Sequence, residues 1–164
     1  MKLNVQPLFT GEREQLLIDE QLDFSARDFF GSCPFRQPVS VKGTVTAAGG
    51  VVLLRAIVGY RFDGQCDRCL DPFSREGTLP IEHVLVTSAE DEDSDELVVL
   101  EDFQLDLDEL VETDLWLELP SKSLCREDCR GLCPQCGKNL NEGLCGCGKK
   151  DIDPRLEALK QALQ

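Results

Sequence analysis

The sequence predicts an α+β protein: an antiparallel β-sheet, an acidic helix, a cysteine-rich tail and a C-terminal helix. Three observations predict it. Alternating apolar residues flank Gly49-Gly50, the pattern of a hairpin with one buried face. Residues 106–119 carry leucine and valine at helical spacing with acids between them, as an amphipathic helix requires. Six of the nine cysteines lie between Cys125 and Cys147, in a stretch with few large apolar groups to bury.

Taken in order, residues 2–9 alternate weakly and read as a short edge strand. Residues 14–30 hold Leu16, Leu17, Ile18, Leu22 and Phe24 without a clear period, so strand and loop both stay open. Residues 38–45 alternate cleanly through Val39, Val41, Gly43 and Val45, with Ser40, Lys42 and Thr44 on the other face. Ala48-Gly49-Gly50 turns the chain, residues 51–62 return as the second strand, and Cys66-Asp67-Arg68-Cys69 follows. Residues 73–87 predict a third strand through Leu79, Ile81, Val84 and Val86. Pro80 marks an edge or bulge in it, having no N–H for a ladder.

The nearly all-acidic residues 88–96 read as a mobile loop, and residues 97–100 as a short strand. The predicted helix over 106–119 places Leu107, Leu110, Val111, Leu115, Trp116 and Leu117 on its apolar side. Asp106 or Asp108 caps it, where a carboxylate meets the positive end of the helix dipole, and Pro120 ends it. A final helix starts at Asp153-Pro154, cap and first position, with Leu156, Leu159 and Leu163 as its stripe. The chain therefore divides into a sheet core with acidic loop and helix over 1–120, and a cysteine-rich tail with its helix over 121–164, docked on that core.

The 164 residues carry a formal net charge of −14. Residues 88–120 hold fourteen Asp and Glu and no Lys or Arg, while the remaining seventeen acids are matched by seventeen basic residues. Such a segment repels bare RNA and attracts a basic protein; equally, it can be a solvated face that aids solubility. No run of eighteen apolar residues is present to span a membrane, and the N-terminus lacks the pattern of an export signal. The expected location is the cytoplasm, where thiols stay reduced and clustered cysteines read first as metal ligands.

Cys133-Pro134-Gln135-Cys136-Gly137 has the shape of a zinc knuckle. Two thiolates three positions apart grip one metal, and the glycine permits the tight turn. With Cys145-Gly146-Cys147 it makes C-x2-C-x8-C-x-C, four ligands for one structural zinc. Cys66-x2-Cys69 and Cys125-x3-Cys129 are the leftover pairs. Sharing a second zinc would tie the hairpin to the tail, although other partitions of Cys125, Cys129 and Cys133 remain open. About two zinc ions per chain are expected, since each takes four ligands. A redox disulfide between Cys66 and Cys69 is the rival, without the strand-to-helix setting that activates such a thiol. Cys33, before Pro34, reads as a half-buried free thiol.

Catalytic readings are weak. Cys129-x3-Cys133-x2-Cys136 has the three-cysteine spacing of radical S-adenosylmethionine enzymes, but Gln135 stands where an aromatic residue is usual. His83, the single histidine, lies beside Glu82 and reads as a surface residue. There is no phosphate-cradling glycine loop and no nucleophile paired with a base. The chain is expected not to be an enzyme.

Cys66-Asp67-Arg68-Cys69-Leu70 with Phe73, then Leu117-Glu118-Leu119-Pro120, then Leu124-Cys125 through Cys129-Arg130-Gly131-Leu132-Cys133 to Asn139-Leu140-Asn141 and Cys145-x-Cys147, resembles the bacterial YceD family. The likeness runs from about residue 39 to 154. The resemblance implies a part in synthesis, processing or stability of 23S ribosomal RNA. It brings no catalytic mechanism and no mapped binding residues. Relatives that keep the first cysteine pair but lack the C-terminal ribbon support grouping Cys66 and Cys69 with Cys125 and Cys129. The function expected on this basis is a non-enzymatic factor binding ribosomal RNA, a pre-ribosomal particle or a basic ribosomal protein. Arg126, Arg130, Lys138, Lys149 and Lys150 are the candidate phosphate contacts, partly offset by the charge of metal-bound thiolates. A protein-only adaptor working through the acidic segment is the alternative, and a thiol redox or zinc switch a third. The oligomeric state is not legible.

Overall fold

A computed structural model describes residues 1–29, 31–87 and 97–147. The expected acidic loop over 88–96 and the final helix from Asp153 lie outside these residues. Five strands form the main sheet: β2 (Gln15–Leu22), β3 (Val39–Ala48), β4 (Val51–Gln65), β5 (Pro72–Val86) and β6 (Leu97–Val99), in that spatial order. β2 to β5 are antiparallel neighbours, as expected for the β3–β4 hairpin and β5, while β2 settles as a strand the stretch that the sequence leaves open. β6 departs from the expectation by pairing parallel to β5, Val84 with Leu97 and Val86 with Val99. A second, two-stranded sheet joins β1 (Lys2–Asn4) to β7 (Gln104–Asp106).

The β3–β4 hairpin forms where the glycines predict it. Ala48 pairs with Val51, leaving Gly49 and Gly50 as a two-residue turn with φ of 61° and 84°. Two positive φ values in succession are what the favoured tight hairpin turn demands. The register puts Val41 opposite Val58 and Val45 opposite Leu54, all fully buried on the inner face. β5 then pairs with β4 from Val52↔Leu85 down to Gln65↔Pro72, so Cys66–Cys69 occupies the tip of this second, longer hairpin. Pro80 pairs with Ile57 in the part of β5 that β6 does not reach, so the outward edge has no ladder for it to break.

Several sequence expectations need correction. The run 2–9 is a strand only to Asn4, because Pro7 sits in the first turn of the short helix α1 (Gln6–Phe9), a position suited to its fixed φ. The helix α2 (Leu107–Glu118) is capped by Asp106, whose side chain accepts from the Glu109 N–H at 3.4 Å. Its buried stripe is Leu107, Val111 and Leu115, four residues apart. Leu117 is 82% exposed, two positions and some 200° round the helix from Leu115. Trp116, expected in the core, is 37% exposed and stacks on Phe29 with ring centres 5.3 Å apart.

The core gains large aromatics from the stretch the sequence leaves without a period and from just beyond it. Phe24, Phe29 and Phe35 are buried between sheet and helix, and Phe29 and Phe35 meet edge to face at 4.8 Å. His83 is not a surface residue either. It lies opposite Leu54 on β5 and faces α2, with Nε2 2.8 Å from Asp114 Oδ2. Its buried Nδ1 has no hydrogen-bond partner among the described residues. Cys33, expected half-buried, is exposed.

Candidate metal centres

The eight clustered cysteines come together as two groups of four: Cys66, Cys69, Cys125 and Cys129, and Cys133, Cys136, Cys145 and Cys147. Within each group all Sγ atoms lie within 4.8 Å of one another. The sulfur separations include Cys66–Cys129 at 3.8 Å, Cys69–Cys125 at 3.7 Å and Cys133–Cys145 at 3.4 Å. A disulfide would bring the sulfurs to about 2.05 Å. A tetrahedron with metal–sulfur bonds of about 2.3 Å has edges of about 3.8 Å. The donor sets therefore fit a four-coordinate soft or borderline cation, zinc or iron in tetrathiolate surroundings.

The first centre is built where the β4–β5 tip meets the tail. Leu70 N–H bonds the Cys66 carbonyl at 2.8 Å, closing the Cys66–Cys69 turn, and Leu70 itself takes φ of 62°. Asp67 then clamps the incoming tail twice. Its N–H bonds the Ser123 carbonyl at 2.8 Å, and its carboxylate accepts from the Ser123 N–H at 2.7 Å. Arg68 donates to the Cys129 carbonyl at 3.0 Å, and Arg75 to the Leu124 carbonyl at 3.2 Å. Asn139 Nδ2 bonds Asp71 Oδ2 at 2.7 Å. Cys66, Cys69 and Cys129 are buried, with Phe73, Leu124 and Leu132 packed around them.

The second centre is more open: Cys133 is buried, Cys145 and Cys147 are intermediate, and Cys136 is exposed. Gly137 N–H bonds the Cys133 carbonyl at 2.8 Å with φ of 71°, and Cys133 N–H bonds the Lys138 carbonyl at 2.8 Å. This is the knuckle that Cys133–Gly137 predicts.

The thiols of each group pull one another apart in acidity. Burial opposes ionisation of Cys66, but the N–H groups of Cys125, Cys69 and Arg68 outweigh it and bring the thiol down to about 6. The Cys136 and Gln135 N–H groups do the same for Cys133, also to about 6. Cys129 is lowered, first by the Asn141 amide. The Asp71 N–H favours a Cys69 thiolate, yet burial and the neighbouring sulfurs push that thiol up. Burial and Cys66 raise Cys125. Cys136, followed by burial, pushes Cys147 up to about 12. Four thiolates this close repel one another unless a cation joins them.

Of the candidate phosphate contacts, Arg126 is exposed and lies 3.5 Å from Asp128. Arg130 and Lys138 are exposed, and Lys138 Nζ donates to the Leu144 carbonyl at 3.2 Å. Lys149 and Lys150 lie outside the described residues. Sequence reasoning assigns no role to the polar residues that join hairpin and tail, namely Asp67, Arg68, Asp71, Arg75 and Asn139, or to Asn141, which bonds Cys129 within the tail. Their one signal is position, since most stand inside or beside the cysteine spacings. No helix among the described residues is long and apolar enough to cross a membrane.

Two mycobacterial relatives, uncharacterised proteins of Mycobacterium tuberculosis and Mycobacterium bovis, are 35% identical over 116 residues. The match covers 68% of this chain and 56% of theirs, so the chain spans about half the length of the curated relatives it matches. The chloroplast large ribosomal RNA subunit accumulation protein YCED homolog 1 of Arabidopsis thaliana is 32% identical over 50 residues, 30% of this chain and 16% of that protein. No solved structure matches. The profile of the large ribosomal RNA subunit accumulation protein YceD matches residues 54–162, starting later and ending later than the likeness read from the sequence. That span takes in both cysteine clusters and most of the β4–β5 hairpin that carries the first, and on this match the chain belongs to the YceD family.

Proposed function

We propose that this chain is a non-enzymatic accessory factor of large ribosomal subunit biogenesis. It acts in the cytoplasm on the synthesis, processing or stability of 23S ribosomal RNA. The observation that carries the role is the family match over residues 54–162. The reading of two structural zinc ions rests on the sulfur geometry. Four cysteines fill every position of a tetrahedral metal, whereas a catalytic zinc keeps one open for water or substrate. In this reading the first zinc fastens the tail to the hairpin and the second folds the ribbon. Together they present Arg126 and Arg130 to RNA phosphates.

Binding titrations at two salt concentrations test the reading. Replacing Arg126 and Arg130 with Ala should weaken binding to 23S RNA fragments. It should also flatten the salt dependence by about 0.7–0.9 log units per decade for each phosphate left without its arginine. The adaptor alternative draws on the acid-rich stretch 88–120. It predicts that replacing Glu90, Asp91, Glu92 and Asp93 with Ser slows association with a basic ribosomal protein instead. If neither set alters association with pre-ribosomal particles, both interfaces are wrong.

A further inference from the structure

Asn141 belongs to the loop between Cys136 and Cys145 of the second centre, yet its side chain reaches the first. Its Nδ2 donates to Cys129 Sγ at 3.3 Å, and its Oδ1 accepts from the Arg130 backbone N–H at 2.8 Å. Chemistry fixes the orientation of the amide. A backbone N–H can only donate, so the amide oxygen faces Arg130 and the amide nitrogen is left for the sulfur.

The loop that carries Asn141 is held by hydrogen bonds within the tail and by one to the hairpin, Asn139 Nδ2 to Asp71 Oδ2. Asn141 N–H bonds Asn139 Oδ1 at 3.0 Å, and Leu140 N–H bonds the Gly131 carbonyl at 2.9 Å. Leu132 and Asn139 form an isolated β-bridge. Leu144, on the same loop, is 82% exposed, so little apolar burial orders this piece of chain. Cys133–Cys147 close it, and a metal there supplies the folding energy that packing does not.

Taking both clusters as metal centres, we propose that Asn141 is a positioning residue through which the second centre sets the metal affinity of the first. A neutral amide N–H stabilises the Cys129 thiolate and orients the sulfur without adding charge to the cluster. Partners of this kind change metal affinity by about 10–100-fold when removed. Here the partner is delivered by a loop that another metal folds. Loading the second centre therefore tightens the first, and by linkage the first tightens the second by the same factor.

The test is zinc competition with a chelator on the full chain. Alkylation of each cysteine, read by mass spectrometry, reports the two centres separately. Asn141→Ala should leave Cys66, Cys69, Cys125 and Cys129 unprotected at about 10–100-fold lower chelator than wild type, and by the same linkage should loosen Cys136, Cys145 and Cys147 while the first centre is loaded. Cys145→Ser, which disables the second centre, should lower protection of the first by a similar factor. Asn141→Ala in the Cys145→Ser background should then add little, because the loop no longer presents the amide. First-centre protection unchanged in both single variants overturns the proposal. So does an Asn141→Ala change that loosens the second centre even when Cys69→Ser has disabled the first, which would make Asn141 only a loop-folding residue. Wild-type cysteines that zinc does not protect at all overturn the metal reading itself, a distinguishable result.

Discussion

At the scale of single residues, the junction of tail and hairpin depends on Gly131. Its φ is +72°, and a Cβ there would stand 2.9 Å from the Arg68 carbonyl oxygen, the atom that also accepts from Leu132 N–H at 3.0 Å. Gly137 offers a control, with φ of +71° but nothing within 4 Å of its Cβ position. Left-handed backbone costs a non-glycine residue about 1–2 kcal/mol. Gly137→Ala should therefore lose about that much, whereas Gly131→Ala should lose more and raise hydrogen exchange at the Arg68–Leu132 contact. Equal effects on tail stability would mean that the close approach is not felt. Little of this is legible in the sequence, where both glycines follow cysteine-rich turns. His83 is opaque for a related reason. Period two puts His83 in step with Leu79, Ile81 and Leu85, all buried, but the apolar run Val84-Leu85-Val86 lets the sequence be read with either face inward.

At the scale of elements, α2 separates what periodicity shows from what it hides. The sequence groups Leu115 and Leu117 as one apolar side, but Leu115 is 0% and Leu117 82% exposed. Leu115→Ala should cost about 2–5 kcal/mol, the forfeited transfer energy plus a cavity between α2 and the sheet. Leu117→Ala should change stability by less than about 0.5 kcal/mol. Urea denaturation of both variants checks this, and comparable losses would place α2 in a different rotation about its axis. The helix, its Asp106 cap and the β3–β4 hairpin are readable because each has a local cause: spacing, a carboxylate, two glycines. The parallel β6 is not, because nothing local distinguishes a three-residue strand that joins its neighbour parallel from one that joins it antiparallel. The aromatics Phe24, Phe29 and Phe35 are equally opaque, since they are buried from outside the regular strands without any period.

At the scale of the molecule, two different forces hold two different regions. The sheet, α2 and the aromatics share one continuous buried cluster of Val, Leu, Ile and Phe, which stabilises itself by removing apolar surface from water. Among the described residues, the tail joins only a small cluster of Cys66, Cys69 and Cys129, with Phe73, Leu124, Cys125 and Leu132 at its margin. The cysteine spacings make this division visible in the sequence, although which residues besides cysteine fasten the tail emerges only with the fold. A consequence follows for metal removal. If each cluster holds a cation, as proposed, stripping it with a chelator or displacing it with protons at low pH leaves four sulfurs within 4.8 Å with nothing to join them. Residues 121–147 and the 66–71 tip should then open together, while β3 and the centre of β4 keep their protection. Hydrogen exchange with and without chelator measures both regions in one experiment, and elemental analysis of the untreated protein should find about two zinc ions per chain. Unfolding of the whole sheet on chelation would show that the metals carry the core as well. An unchanged tail would show that the polar clamps of Asp67, Arg68 and Arg75 suffice without them.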